Sequence, residues 1–200
     1  SLLCYALLRN PNKEFLPMTI TLRPWRMEDI PQVYMLANNK KIAANLRNAF
    51  PYPYKLTDAE DYLISCIRTP ETTQCPRAIL MDGQLVGSIG LFLGTDVYRK
   101  SAELGYWLGE PYWGQGIMTE AIRQICAYGF AQYDIHRIHA EPFAHNKGSR
   151  RCLQKAGFTL EGILRKSVYK NGEILDSCIY ALVAGESSMA TITEVALTTA

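Results

Sequence analysis

From Trp113 to Met118 the chain reads Trp-Gly-Gln-Gly-Ile-Met, and its two glycines carry the first chemical signal. Gly114 and Gly116 lack a Cβ, so the backbone there can lie against a bound group. From Ile117 onward, Met118, Ile122, Ile125 and Gly129 recur at helical spacing, with Ile117, Ala121 and Tyr128 beside them. A helix start leaves N–H groups without partners and carries partial positive charge. A glycine turn feeding such a start is an anion site, most often for phosphate. Two familiar forms of that site fail on a specific residue. The P-loop needs Lys and then Ser or Thr after its last glycine; Ile117 and Met118 stand there. The dinucleotide fingerprint needs a third glycine where Thr119 stands. Its acid, Asp134 by count, precedes its strand instead of following it.

The elements around this turn can be read in order. Ala102, Leu104, Tyr106 and Leu108 alternate with Glu103, Gly105 and Trp107, the period of a half-buried strand, which Gly109 and Pro111 close. Upstream, Thr19 to Arg23 reads as a first strand and Glu28 to Asn38 as a helix, with Pro31 in its first turn. Asn38 to Lys55 has weak periodicity and reads as a loop, either packed or forming a wall with Phe50, Tyr52 and Tyr54. Thr57-Asp58-Ala59-Glu60 reads as a capping box opening a helix with Ala59, Leu63, Cys66 and Ile67 inward. Pro70 to Pro76 reads as a loop. Arg77 to Met81 and Gln84 to Phe92 flank Asp82-Gly83, a hairpin signal. Downstream, His136 to Phe143 is a strand reached by a crossover helix and so parallel to the central one. Asn146 opens a short helix that stops at Gly157. Phe158 to Leu164 is a strand, and Ser167 to Lys170 and Glu173 to Val183 flank an Asn171-Gly172 turn. The sum is a single α/β (α+β) domain with a mixed sheet.

Three blocks in this order resemble the GCN5-related N-acetyltransferase family, in its branch that acetylates ribosomal-protein N-termini and related amines. They are Glu103-Leu-Gly-Tyr-Trp-Leu108, Trp113 to Met118, and Asn146-x-x-Ser149 followed by Gly157-Phe158. The family's acetyl-CoA loop reads Gln/Arg-x-x-Gly-x-Gly/Ala. Gly116 matches, Trp113 replaces Gln/Arg, and Met118 replaces the small last residue. The resemblance covers roughly Thr19 to Val183. It implies a central sheet whose two parallel strands splay apart, with the pantetheine arm of acetyl-CoA entering the gap.

It also implies roles. The N–H groups from Trp113, Gly114, Gln115 and Gly116 to Ile117 and Met118 hold the pyrophosphate. The Tyr106-Trp107-Leu108 backbone lies along the pantetheine and polarises the acetyl carbonyl. Asn146 bonds the cofactor arm, a role that competes with helix capping. Many members place a tyrosine seven residues after this asparagine as the acid for the thiolate. Leu153 stands there, and Ser149 is the replacement, its hydroxyl able to donate. Glu103 is the candidate base, against a surface carboxylate paired across the strand. The expected acceptor is a primary amine, foremost a protein or peptide α-amine; an amino acid, a polyamine or an aminoglycoside also fits. A non-catalytic acetyl-CoA-binding protein and a nicotinamide oxidoreductase are the rival readings.

Whole-chain properties bound the reading. Two hundred residues make one domain the default. Residues 18–185 are expected to form it, with 1–17 an N-terminal extension and 186–200 a tail. Twenty-one basic against 19 acidic residues argue against a nucleic-acid-binding domain. No apolar run reaches the ~18 residues needed to span a bilayer. The opening Ser1 to Leu8 is a poor signal peptide, since no basic residue precedes it. Six scattered cysteines without C-x-x-C fit free thiols in a reducing cytoplasm. His136, His139 and His145 have no further ligand cluster for a metal.

Overall fold

The computed structural model describes residues 18–186. The expected N-terminal extension, with Cys4, and the tail beyond Glu186 lie outside them. Seven strands form one sheet: β1 (Ile20–Arg23), β2 (Gln74–Met81), β3 (Gln84–Leu93), β4 (Ser101–Leu108), β5 (Arg137–Ala140), β6 (Thr159–Lys170) and β7 (Glu173–Val183). Their spatial order is β1-β2-β3-β4-β5-β7-β6. Every neighbouring pair is antiparallel except β4–β5. Five helices cover it: α1 (Ile30–Ala37), α2 (Lys40–Ala43), α3 (Leu56–Arg68), α4 (Ile117–Gln132) and α5 (Lys147–Lys155).

Local chemistry sets the joints. Asp82 and Gly83 both have positive φ, as do Asn171 and Gly172, which matches the primed turns that follow strand twist. Asn146 caps α5 by accepting from the Ser149 N–H at 3.1 Å. Gly157 ends that helix region at φ +97°.

The two faces of the sheet bury separate cores. On one, α4 packs Ile117, Ile122 and Ile125 with Ile89, Leu91, Leu104, Ile138, Leu153 and Tyr180. On the other, Trp25, Val33, Ala37, Ile42, Tyr54, Leu63 and Trp107 pack under α1 to α3. Strand β4 serves both, with Leu104 and Leu108 in the first core and Trp107 in the second.

Several boundaries differ from the sequence reading. Helix α3 starts at Leu56, because Asp58 accepts the Lys55 N–H at 2.6 Å, three residues back, a function the reading gave to Glu60. Ile67, expected inward, is exposed near the end of α3. Gln74 and Pro76 belong to β2, not to a loop; Pro76 lies beyond the end of β1, where β2 has one neighbour. The stretch after Asn38 contains α2, whose N–H groups at Lys41 and Ile42 bond the Asn39 side chain at 2.8 and 3.3 Å. The strand expected from His136 to Phe143 is only Arg137–Ala140, with Phe143 in an isolated bridge to Ser177. The two strands expected between Phe158 and Lys170 are one, β6, interrupted between Leu164 and Val168. There Lys166 takes positive φ and its N–H bonds Asp176 at 2.7 Å.

Candidate active site

Strands β4 and β5 pair over three positions only, Ser101↔Arg137, Ala102↔Ile138 and Glu103↔His139. Beyond that, β4 continues for five residues to Leu108 while β5 ends at Ala140. The parallel pair therefore opens into a gap whose walls are the β4 backbone on one side and the residues leading to α5 on the other. Backbone groups on that edge of β4 have no strand partner and can meet an extended ligand.

The glycine turn stands at the open end of β4. Gly114 and Gly116 take φ +76° and +84°, and a Cβ built on either meets nothing within 4 Å. The glycines answer a backbone conformation first, since side chains are strained there. The space outside them is open to a ligand. No side chain caps α4, whose N-cap is Gly116, so its first N–H groups face out. The Ile117 and Met118 side chains are buried in the core, which leaves their backbone for a phosphate. Trp107 and Leu108 are likewise buried and offer backbone alone. Gln115 donates to the Pro111 carbonyl at 3.0 Å. Trp113 donates its indole N–H to the Leu108 carbonyl at 2.7 Å and so braces the end of β4.

Across the gap, on the α4 side, the Tyr106 and Ser149 hydroxyls lie 2.7 Å apart. Burial pushes the Tyr106 hydroxyl well above the ordinary tyrosine range, and the hydrogen bond shared with Ser149 offsets only part of that. The phenol thus stays protonated near neutrality. Leu153, where the resembled family often has tyrosine, is fully buried in the core. The hydroxyl that α5 does carry, on Ser149, meets one from β4 instead. The pairing joins two residues that the sequence reading treated separately. Asn146 spends its side-chain oxygen on the α5 cap; its amide nitrogen is the atom left for a cofactor.

Glu103 points to the opposite face. Arg47, from the segment between α2 and α3, binds its carboxylate through both guanidinium nitrogens, the longer contact at 3.4 Å. The expected free base is thus half of an ion pair. The same segment makes two further ties, Asn45 to His145 at 3.0 Å and Asn48 to the Lys170 ammonium at 3.0 Å. The preceding helix α2 and its N-cap are fixed near the glycine turn, where Lys41 and Asn39 both hold Glu110 and keep that carboxyl below its usual range. Of the expected aromatic wall, Tyr54 is buried and Phe50 packs on Tyr54 and Trp107 at centroid distances of 5.0 and 6.0 Å. Of the three, Tyr52 alone is exposed. His139, last of the paired β5 residues, has a buried Nδ1 with no hydrogen-bond partner.

A mixed sheet whose one parallel pair opens beside a glycine turn and an uncapped helix is the frame of a coenzyme A-dependent acyltransferase. A family model described as an acetyltransferase (GNAT) domain matches residues 19–159, and the chain belongs to that family. GNAT enzymes use acetyl-CoA as co-substrate. Among curated proteins, the chain is 36% identical over 108 residues to the putative ribosomal N-acetyltransferase YdaF of Bacillus subtilis, covering 54% of this chain and 58% of that protein. It is 26% identical over 169 residues to the spermidine N(1)-acetyltransferase of Escherichia coli K12, covering 81% and 86%. The chain spans little more than half the length of the curated relatives it matches at highest identity. A solved structure of RimL, an alpha-N-protein acetyltransferase in complex with coenzyme A, shares the fold at TM-score 0.75 and 23% identity, over 82% of this chain and 94% of that one.

Proposed function

We propose that this chain transfers the acetyl group of acetyl-CoA to a primary amine, and that the amine is a protein or peptide N-terminal α-amine. The observation that carries this is the opening of β4 from β5 just past Glu103 and His139, with the glycine turn at its far end. Acetyl-CoA supplies an activated acyl carbon and a thiolate leaving group. The N–H groups from Gly114 to Met118 suit its pyrophosphate, with the Asn146 amide and the free edge of β4 along its arm. A β4 N–H polarises the carbonyl as negative charge develops there. Ser149 donates a hydrogen bond to the departing thiolate, and the Tyr106 hydroxyl, which keeps its own proton, supports Ser149 from behind.

A protonated amine loses one proton to become nucleophilic and a second as its nitrogen bonds the acyl carbon; the base takes the first, and the second balances the proton taken up by the departing sulfur. Glu103 faces the side from which it arrives, and acts as base once the acceptor displaces Arg47 from it. A second reading rests on His139, which shares that face at the same register position and has an unpartnered buried nitrogen. Protonated α-amines titrate near ~8, so the true base matters most below that pH. Glu103→Gln and His139→Gln should therefore differ. The base variant loses most kcat/KM at low pH, while the other keeps the wild-type profile. If both variants keep it, neither residue is the base.

The acceptor class rests on the segment from Asn38 to Lys55. It has no carboxylate, and it carries Lys40, Lys41, Arg47 and Lys55. A polyamine site collects carboxylates, whereas a peptide end tolerates cations. The name of YdaF supports a ribosomal-protein acceptor, and the spermidine relative supports a polyamine. An acceptor panel of N-terminal peptides, spermidine, amino acids and aminoglycosides, read by free thiol release from acetyl-CoA, decides it. Spermidine turning over faster than every peptide overturns the peptide assignment. No turnover with any amine leaves a binding protein.

A further inference from the structure

Lys170 ends β6 at the tip of the last hairpin and is 7% exposed. Its ammonium has three donors. One goes to the Asn48 side-chain oxygen at 3.0 Å, and among the described residues no carboxylate pairs with it. A buried charge is ordinarily paired or neutralised. Burial here lowers the affinity of Lys170 for its proton, a cost that an arriving anion would reverse. The register places Lys170 on the same face of the sheet as Glu103. Glu103 pairs with His139, His139 with Ala181, and along β7 the odd-numbered positions down to Glu173, the partner of Lys170, share that face. Asn48 is the chain neighbour of Arg47, which holds Glu103.

We propose that Lys170 is an anion subsite of the acceptor site, selecting peptides with an acidic side chain shortly after the acetylated residue. This rests on the peptide reading given above. Lys170 is linked to Glu103 through Asn48 and its neighbour Arg47, two side-chain contacts away, which favours a peptide side chain over the carboxylate of a free amino acid. An extended peptide advances about 3.4 Å per residue, so the position of an acidic residue along it can be scanned one step at a time. A flanking cation, Arg47, reinforces the preference and repels a polyamine.

The test uses matched N-terminal peptides that carry Asp or Asn at the second, third or fourth position. The wild-type protein should favour Asp about tenfold in kcat/KM at one or more of these positions, the size of one charge-assisted contact. Higher salt should reduce the ratio. Lys170→Gln keeps a donor for Asn48 but removes the charge, and should bring the ratio to one. Lys170→Arg should retain it. A lysine that merely clasps the segment gives equal Asp and Asn rates in the wild type, or an unchanged ratio in Lys170→Gln; either overturns the proposal. A second arm needs no turnover. Calorimetric titration of N-acetylated Asp and Asn peptides should give tighter Asp binding, lost in Lys170→Gln, and equal affinities overturn the subsite. Peptides acetylated without charge preference thus reject the subsite alone. Absent peptide acetylation rejects the peptide reading, with the titration still judging Lys170.

Discussion

In the proposed reaction the Tyr106–Ser149 pair serves the leaving sulfur, and its two members should not be equal. Ser149→Ala removes the donor next to the gap and should lower kcat by about tenfold to a hundredfold, with a smaller change in acetyl-CoA KM. Tyr106→Phe leaves the serine in place and should cost less, about tenfold or below. Because burial holds the phenol protonated well above its usual range, the pair should impose no alkaline fall in kcat from pH 7 to about 10. Stopped-flow thiol release, under conditions where chemistry limits the rate, checks all three. Full kcat in Ser149→Ala would reduce Ser149 to a residue of the α5 first turn. Asn146 also belongs to this scale, because one side chain has two tasks. Asn146→Asp should preserve α5, since aspartate caps as well, yet weaken acetyl-CoA binding by removing the amide donor and adding charge. Unchanged affinity would leave Asn146 a cap alone.

At the scale of elements, the glycine turn and α4 act as one unit. Gly116→Ala forces a side chain onto φ +84° and should cost about 1 kcal/mol of stability. It also puts a methyl in the open space outside the turn, so acetyl-CoA KM should rise several-fold. Gly172→Ala is the control. It has φ +86° and open surroundings on the distant hairpin, hence similar strain, and no expected effect on KM. Equal KM in both variants would dissociate the turn from cofactor binding. Denaturant titration supplies the stability half of the comparison.

Across the whole molecule, the stretch from Asn39 to Asn48 ties the glycine turn, β4, the approach to α5 and the β6–β7 hairpin together. Its entry is set further back, where Arg23 grips Asp29 through two bonds of 2.7 and 2.8 Å at the start of α1. Burial alone would raise the Asp29 carboxyl. The Arg23 bonds and the Arg26 N–H outweigh it, and the group lies below its usual value. A depressed carboxyl stabilises above its unfolded pKa and loses that contribution as pH falls through the folded one. Asp29→Asn should therefore destabilise by about 2 kcal/mol at neutral pH. The gap from wild type should shrink below about pH 4. Urea midpoints across that range test it, and a gap independent of pH would deny the ion pair its role.

Local patterns carried much of this protein in the sequence itself. Asp82-Gly83 and Asn171-Gly172 demand their turns because few other residues adopt two successive positive φ values. The change from period two to helical period at Gly116 locates β4, the turn and α4. The helix from Asn146 to Gly157 is equally local, since its cap and its stop lie within it. These are short-range requirements of backbone geometry, and short segments state them completely. Other boundaries moved because a competing partner, local at Asp58 and tertiary elsewhere, outweighed the signal read. Helix α3 starts early on Asp58, β2 runs through Pro76 beyond the end of β1, and β6 continues across an interruption held by Asp176. Site chemistry depended most on the fold. Nothing near Ser149 in the chain points to Tyr106, 43 residues away, and nothing near Glu103 points to Arg47, 56 residues away. The segment bearing Arg47 and Asn48 has little periodicity of its own, because it is held by side chains from four other parts of the molecule. Sequence determined which groups could react; only packing decided which of them met, and so turned a free carboxylate into an ion pair and a lone serine into one member of a hydrogen-bonded pair of hydroxyls.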